Sequence, residues 1–164
     1  MKTLLARRHA QANFPSHVNS DYERPLTERG TQDITRAAAL LRRRGTVPDR
    51  ARASSALRAR QTALGICEHL SIPADAVDLE ESLYLASPAT LIKHIQHTPD
   101  GVNTLLIVAH NPGMEELIYM LSNATVTLPP AGLATINFDT PLWPAIGPAQ
   151  GQLTHFFTPD INTA

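Results

Sequence analysis

Residues 104–109 read Thr-Leu-Leu-Ile-Val-Ala, six residues with no charge and no polar alternation. A strand of this kind has to be covered on both faces, as in a parallel sheet flanked by helices. The surrounding pattern supplies the cover. Residues 2–7 and 51–54 read as strands, with residues 77–79 as a further short one. Between them, Ile34, Ala37, Ala38 and Leu41 keep the i, i+3, i+4, i+7 spacing of a helix face, and Ala59, Ala63, Ile66 and Leu70 mark a second face. A third helix opens at Ser87-Pro88, and Met114, Leu117, Ile118 and Leu121 form the inner face of a fourth. Two strand candidates, residues 133–138 and 152–157, then follow without a helix, joined by a Pro-rich connection over residues 140–148. Alternation of this kind implies βαβ units and a three-layer α/β/α sandwich on a mainly parallel sheet, with the last pair adding at least one antiparallel strand. At 164 residues, one domain over 1–164 is expected.

Local signals fix the element ends. Thr27 is an N-cap, and Gly45 follows the run Arg42-Arg43-Arg44, whose cations favour a helix C-terminus. Asn111-Pro112 repeats the cap-plus-proline start of Ser87-Pro88. In the final connection, Trp143 is expected to pack locally within a turn.

Composition narrows the function classes. The net charge of −1 gives no basic surface for nucleic acid. Leu4-Leu5-Ala6 is too short for a signal peptide, and no stretch reaches transmembrane length. Cys67 is the only cysteine, so neither a disulfide framework nor a cysteine metal site is available, and a reducing, cytoplasmic location is expected. His94 and His97 share one helix face, but no third ligand is evident, which makes a solvated face the better reading. Cofactor motifs such as a Walker loop or a Gly-rich dinucleotide turn are absent from the sequence.

Three positions at strand ends carry the chemistry. Arg8-His9 follows the first strand, Arg58 lies in the first turn of the helix after the second, and His110 ends the apolar strand. Ligands of open α/β sheets bind beyond the carboxyl ends of the strands. Neutral imidazole is a nucleophile toward phosphorus, and arginine forks bind phosphoryl oxygens bidentately. The polar segment of residues 9–25 reads as a long functional loop. Arg24 in that loop and Asn111 beside His110 are candidates for supporting roles. Together these residues describe an oxyanion pocket containing a nucleophile and calling for neither metal nor cofactor.

The segments around these residues resemble the histidine phosphatase superfamily, with its phosphoglycerate mutase-like fold. Arg8-His9-Ala10 resembles its Arg-His opening. Arg24-Pro25-Leu26-Thr27-Glu28-Arg29-Gly30 resembles its Arg-Pro-Leu-Thr-x-x-Gly segment. Ser54 to Ala63 resembles its Ser-x-x-x-Arg-Ala-x-Gln-Thr-Ala segment, and Val108-Ala109-His110-Asn111-Pro112 resembles its second-histidine segment. The short length and Tyr84-Leu85-Ala86-Ser87 are most similar to the SixA phosphohistidine phosphatases. The resemblance implies a hydrolase in which His9 is transiently phosphorylated while Arg8, Arg58 and His110 bind the phosphoryl oxygens. It also implies a phosphohistidine-bearing signalling or phosphotransfer protein as substrate. Glu80 and Glu81 lie near the place where many members carry a proton donor. Arg7 departs from the pattern, and strand alternation sends it to the opposite face from Arg8. Two other readings stay open from the sequence: a phosphatase for a small phosphorylated metabolite, and a non-catalytic phosphoprotein-binding module.

Overall fold

The computed structural model describes residues 1–159. Its elements run β1 (Lys2–Arg8), α1 (Glu28–Arg44), β2 (Arg50–Ser54), α2 (Leu57–His69), β3 (Val77–Glu80), α3 (Pro88–Gln96), β4 (Thr104–Ala109), α4 (Gly113–Ser122), β5 (Leu133–Phe138) and β6 (Gly151–Phe157). The six strands form one sheet in the order β3-β2-β4-β1-β5-β6. β1, β4, β2 and β3 are mutually parallel, β5 runs antiparallel to β1, and β6 runs antiparallel to β5. The expected mixed sheet is therefore present, with β5 as its one reversed strand.

Alternate residues of the central strands feed two separate cores. Leu4, Ala6, Leu105 and Ile107 pack with Leu91 and Ile95 of α3 and with Leu117, Ile118 and Leu121 of α4. Leu5, Ala51, Ala53, Leu106 and Val108 pack with Ile34, Ala38 and Leu41 of α1 and with Ala59, Ala63 and Ile66 of α2. β4 contributes to both, which is why its sequence shows no polar alternation.

Register then places the strand ends. Arg8 pairs with Ala109, so the next residues, His9 and His110, leave adjacent strands side by side. β2 flanks β4 on the other edge, with Ala53 opposite Val108, which brings Ser54 and the start of α2 to the same rim. The segment after His9 is stitched to α1. Thr27 N–H donates to Gln11 O at 2.9 Å, and Ala12 bridges Leu26. A Cβ on Gly30 would lie 2.3 Å from Gln11 O, so this close approach requires glycine there. From α2, Thr62 Oγ1 accepts from Ala10 N–H at 3.0 Å, and Gln61 Oε1 accepts from Leu26 N–H at 3.0 Å. Both residues of the Gln-Thr pair thus hold the long loop against the body.

Thr27 and Ser87 cap their helices as expected, accepting from Gly30 N–H and Thr90 N–H, and Gly45 takes the left-handed conformation at the end of α1. Two readings are corrected. Asn111 does not cap α4. The helix starts at Gly113, and the Asn111 side chain instead donates to Leu128 O at 2.9 Å. Trp143 does not pack only within its turn. It is fully buried in the α3/α4 core, where its indole donates to Val102 O at 2.7 Å. Arg7 goes to the face opposite Arg8 and is wholly buried near Asp33 of α1, with no hydrogen bond to any of its three nitrogens.

Candidate active site

His9 is held in one tautomer. Its Nδ1 lies 2.8 Å from the carbonyl oxygen of Ala10. A carbonyl only accepts, so Nδ1 carries the proton and Nε2 keeps its lone pair. Arg58 Nε–H donates toward that lone pair at 3.3 Å. The residue is only 7% exposed.

Arg58 is buried and fixed on two sides. Its Nε faces His9, while Nη1 donates to the main-chain oxygen of Asp21 at 2.7 Å and Nη2 donates to Asp21 Oδ2 at 2.9 Å. Asp21 sits in a single 3-10 turn, Asp21–Glu23, inside the long loop. Its carboxylate also accepts from Arg24 Nη1 at 3.1 Å and from the Tyr84 phenol. Burial acts to raise the Asp21 pKa, but the hydrogen bonds from Tyr84, Arg24 and Arg58 outweigh it and hold the group well below the usual carboxylate range. The same bond pushes the Tyr84 phenol up. The Tyr84 ring stands edge-on to His110 at 5.4 Å and to Tyr22 at 5.1 Å.

His110 is buried beside His9, with ring centroids 5.2 Å apart. Its Nε2 lies 2.8 Å from Ser54 Oγ, which itself accepts from Ala56 N–H. The other ring nitrogen, Nδ1, is buried with no hydrogen-bond partner among the described residues. Arg8 lies on the α4 side, where Nη1 donates to Leu128 O at 3.1 Å, the carbonyl that Asn111 also holds. Glu115 of α4 anchors the same residue by accepting from Leu128 N–H at 2.7 Å.

The electrostatics favour an anion. Burial pushes the His9 pKa down to about 3, with His110, Arg58 and Arg8 adding repulsion, against the Ala10 carbonyl. Burial and Arg58 bring His110 down to about 4. Both rings are therefore neutral at pH 7, with His9 Nε2 unprotonated and facing the Arg58 Nε–H donor. Such surroundings suit an anionic ligand.

The structure thus brings His9, Arg8, Arg58 and His110 to one rim. Arg24 ties the loop together, with Nε donating to Asn13 O at 3.2 Å and the guanidinium stacked 5.7 Å over Phe14. Asn111 supports Arg8 through Leu128. The two candidate proton donors are not brought in. Glu80 lies with Arg52, Lys93, His94 and His97 around a separate surface cavity, and Glu81 is exposed with no hydrogen bond to the site. The turn that follows β3 instead carries Tyr84 to Asp21 and His110. His94 and His97 bond to Ser82 and to the Lys93 carbonyl, and among the described residues no group of three or more His, Cys, Asp or Glu gathers to hold a metal. Sequence reasoning does not reach Asp21 or Tyr84 as site residues. Asp21 has no periodicity to mark it, its only signal being its place three residues before Arg24.

Comparison with known proteins bears on the family and the fold. A profile of the histidine phosphatase superfamily (branch 1) matches residues 4–83. An uncharacterised protein of Mycobacterium tuberculosis is 32% identical over 163 residues, spanning 93% of this chain and 99% of that protein. The structure of the protein histidine phosphatase SixA complexed with tungstate superposes with a TM-score of 0.82 at 21% identity, covering 97% of this chain and 98% of that one. A mycobacterial glucosyl-3-phosphoglycerate phosphatase superposes with a TM-score of 0.63 at 16% identity, covering 94% of this chain and 97% of that one. The two structural likenesses establish a shared phosphoglycerate mutase-like fold. With that fold, the profile match and the mycobacterial relative in hand, the chain belongs to the histidine phosphatase superfamily.

Proposed function

We propose that this protein is a phosphohistidine phosphatase acting through phospho-His9, without a metal. His9 Nε2 attacks the phosphorus, the bond to the substrate nitrogen breaks, and the leaving imidazole departs with that electron pair. Water then attacks phospho-His9, the Nε2–P bond breaks, and phosphate leaves with His9 restored. Arg58, Arg8 and His110 bind the equatorial oxygens in both steps, where charge is spread over the phosphoryl group.

The observation that carries the choice of substrate is the state of Asp21. It is the carboxylate that Arg58 binds, and three donors keep it ionised. An alkoxide leaving group needs a proton from the enzyme, and Asp21 is unsuited to give one. A phosphoimidazole accepts a proton on its second ring nitrogen and departs as neutral imidazole. The likeness to the tungstate-bound protein histidine phosphatase SixA supports the same reading, and a phosphohistidine-bearing protein is the proposed partner.

A substrate panel tests it. With a chelator present, a histidine-phosphorylated phosphotransfer protein is expected to be dephosphorylated at least about tenfold faster, in kcat/KM, than serine phosphate or a small sugar phosphate. Preference for a phosphomonoester would instead make the protein a metabolite phosphatase. Loss of turnover in the chelator would contradict metal independence.

A further inference from the structure

We infer that Asp21 is a positioning residue that aims one edge of Arg58 at the phosphoryl group on His9, and that Tyr84 holds Asp21 in place. This rests on the reading above, in which the phosphoryl group sits on His9 Nε2. A guanidinium is planar and offers two bidentate edges, one formed by Nη1 and Nη2 and one by Nε and Nη2. Asp21 takes the first edge with two different acceptors, its main-chain oxygen at 2.7 Å from Nη1 and Oδ2 at 2.9 Å from Nη2. That leaves Nε–H and the second hydrogen of Nη2 on the edge that faces His9, where Nε stands 3.3 Å from the nucleophilic nitrogen. Phosphoryl oxygens arriving at Nε2 meet a fork already turned toward them.

Asp21 is itself held from three directions. Arg24 takes Oδ1, while Tyr84 and Arg58 share Oδ2. Arg24 is tied back to Asn13, so the loop and the fork form one connected unit. Tyr84 comes from the turn after β3 and also contacts His110, joining the second histidine to the same unit. Because Asp21 binds the edge that the phosphoryl group does not use, its carboxylate does not have to leave when substrate enters.

The opposite assignment is a competitor that occupies Arg58 until substrate displaces it. The two differ in sign, so Asp21→Ala, Asp21→Asn and Tyr84→Phe separate them. Inorganic phosphoramidate serves as the turnover probe and tungstate as the binding probe, with thermal melting as the check on folding. A positioning role predicts that Asp21→Ala lowers kcat by about 100-fold, as expected for a misaimed binding group, with a smaller rise in KM. It predicts tungstate binding weaker by about tenfold, the worth of one charge-assisted hydrogen bond. Asp21→Asn, which keeps an acceptor oxygen, recovers part of kcat, and Tyr84→Phe falls between Asn and wild type. Unchanged or higher kcat together with tighter tungstate binding would overturn the inference in favour of the competitor. A rise in KM with kcat unchanged would also overturn it. Should Asp21→Ala not fold, wild-type kcat in folded Asp21→Asn has the same force. Failure of the wild type to turn over phosphoramidate counts against the proposed function alone, and the sign of the change in tungstate affinity still decides the role of Asp21.

Discussion

Acidification should destabilise this protein through two rings. His9 and His110 are buried as neutral imidazoles, with pKa values brought from an ordinary 6.5 down to about 3 and about 4. In the unfolded chain both titrate near 6.5. Below that value the unfolded state binds protons that the native state refuses, so stability is full above about pH 6.5 and falls as pH drops. At about pH 5 neither ring has charged in the native state, so the two contributions add. Each pH unit costs about 1.4 kcal/mol per ring, which from about pH 6.5 to about pH 5 comes to about 2 kcal/mol for each and about 4 kcal/mol for the pair. That is a large share of the ~5–15 kcal/mol typical of a domain. Urea unfolding of the wild type and of a His9→Asn/His110→Asn variant, at pH 7 and pH 5, isolates the effect, because the other titrating groups are common to both. The wild type should lose about 4 kcal/mol more than the variant between the two pH values. Equal losses would refute the claim that both rings are buried neutral, as would an NMR titration of either ring near its ordinary pKa.

Three further outcomes follow from the same contacts. Arg7 is fully buried with no hydrogen bond, its pKa pulled down to about 10 by burial against the pull of Asp33, which keeps Arg29 and Arg36 as partners. Arg7→Met should therefore stabilise by ~1–3 kcal/mol, read as a melting temperature raised by several degrees, and a lowered one would show that the cation is needed. Arg58→Lys keeps the charge but loses both edges of the fork, so kcat/KM should fall by about 100- to 1,000-fold with the fold intact by circular dichroism. Gly30→Ala drives a Cβ into Gln11 O and should cost ~1–3 kcal/mol in urea unfolding, lowering activity by shifting the segment that follows His9.

Much of this fold is legible in the sequence because its central strands are buried on both faces. β4 and β5 match their apolar runs to the residue, and β1, β2, β3 and β6 each extend the sequence pattern by one residue at an end. Three site residues, Arg8, His9 and His110, are legible for a related reason: a polar group at the end of a buried strand stands out against its surroundings. Asn111-Pro112 misleads because the same dipeptide chemistry serves a different contact, the amide reaching Leu128 rather than the helix end. Alternation predicts that Arg7 leaves the face of Arg8, yet nothing local to residue 7 reveals that α1 closes over it. Asp21, Tyr84 and the true environment of Trp143 depend on contacts across 37, 63 and 41 residues, distances over which neither periodicity nor capping carries information.

Everything proposed for this site depends on His9 carrying the phosphoryl group. The most direct measurement is rapid acid-free quenching of the enzyme with a radiolabelled phosphohistidine protein, followed by mapping of the label on the chain. The expected result is an acid-labile, base-stable label on His9 that is absent from a folded His9→Ala variant. Turnover with no label on the wild type, or equal label on His9→Ala, would contradict it.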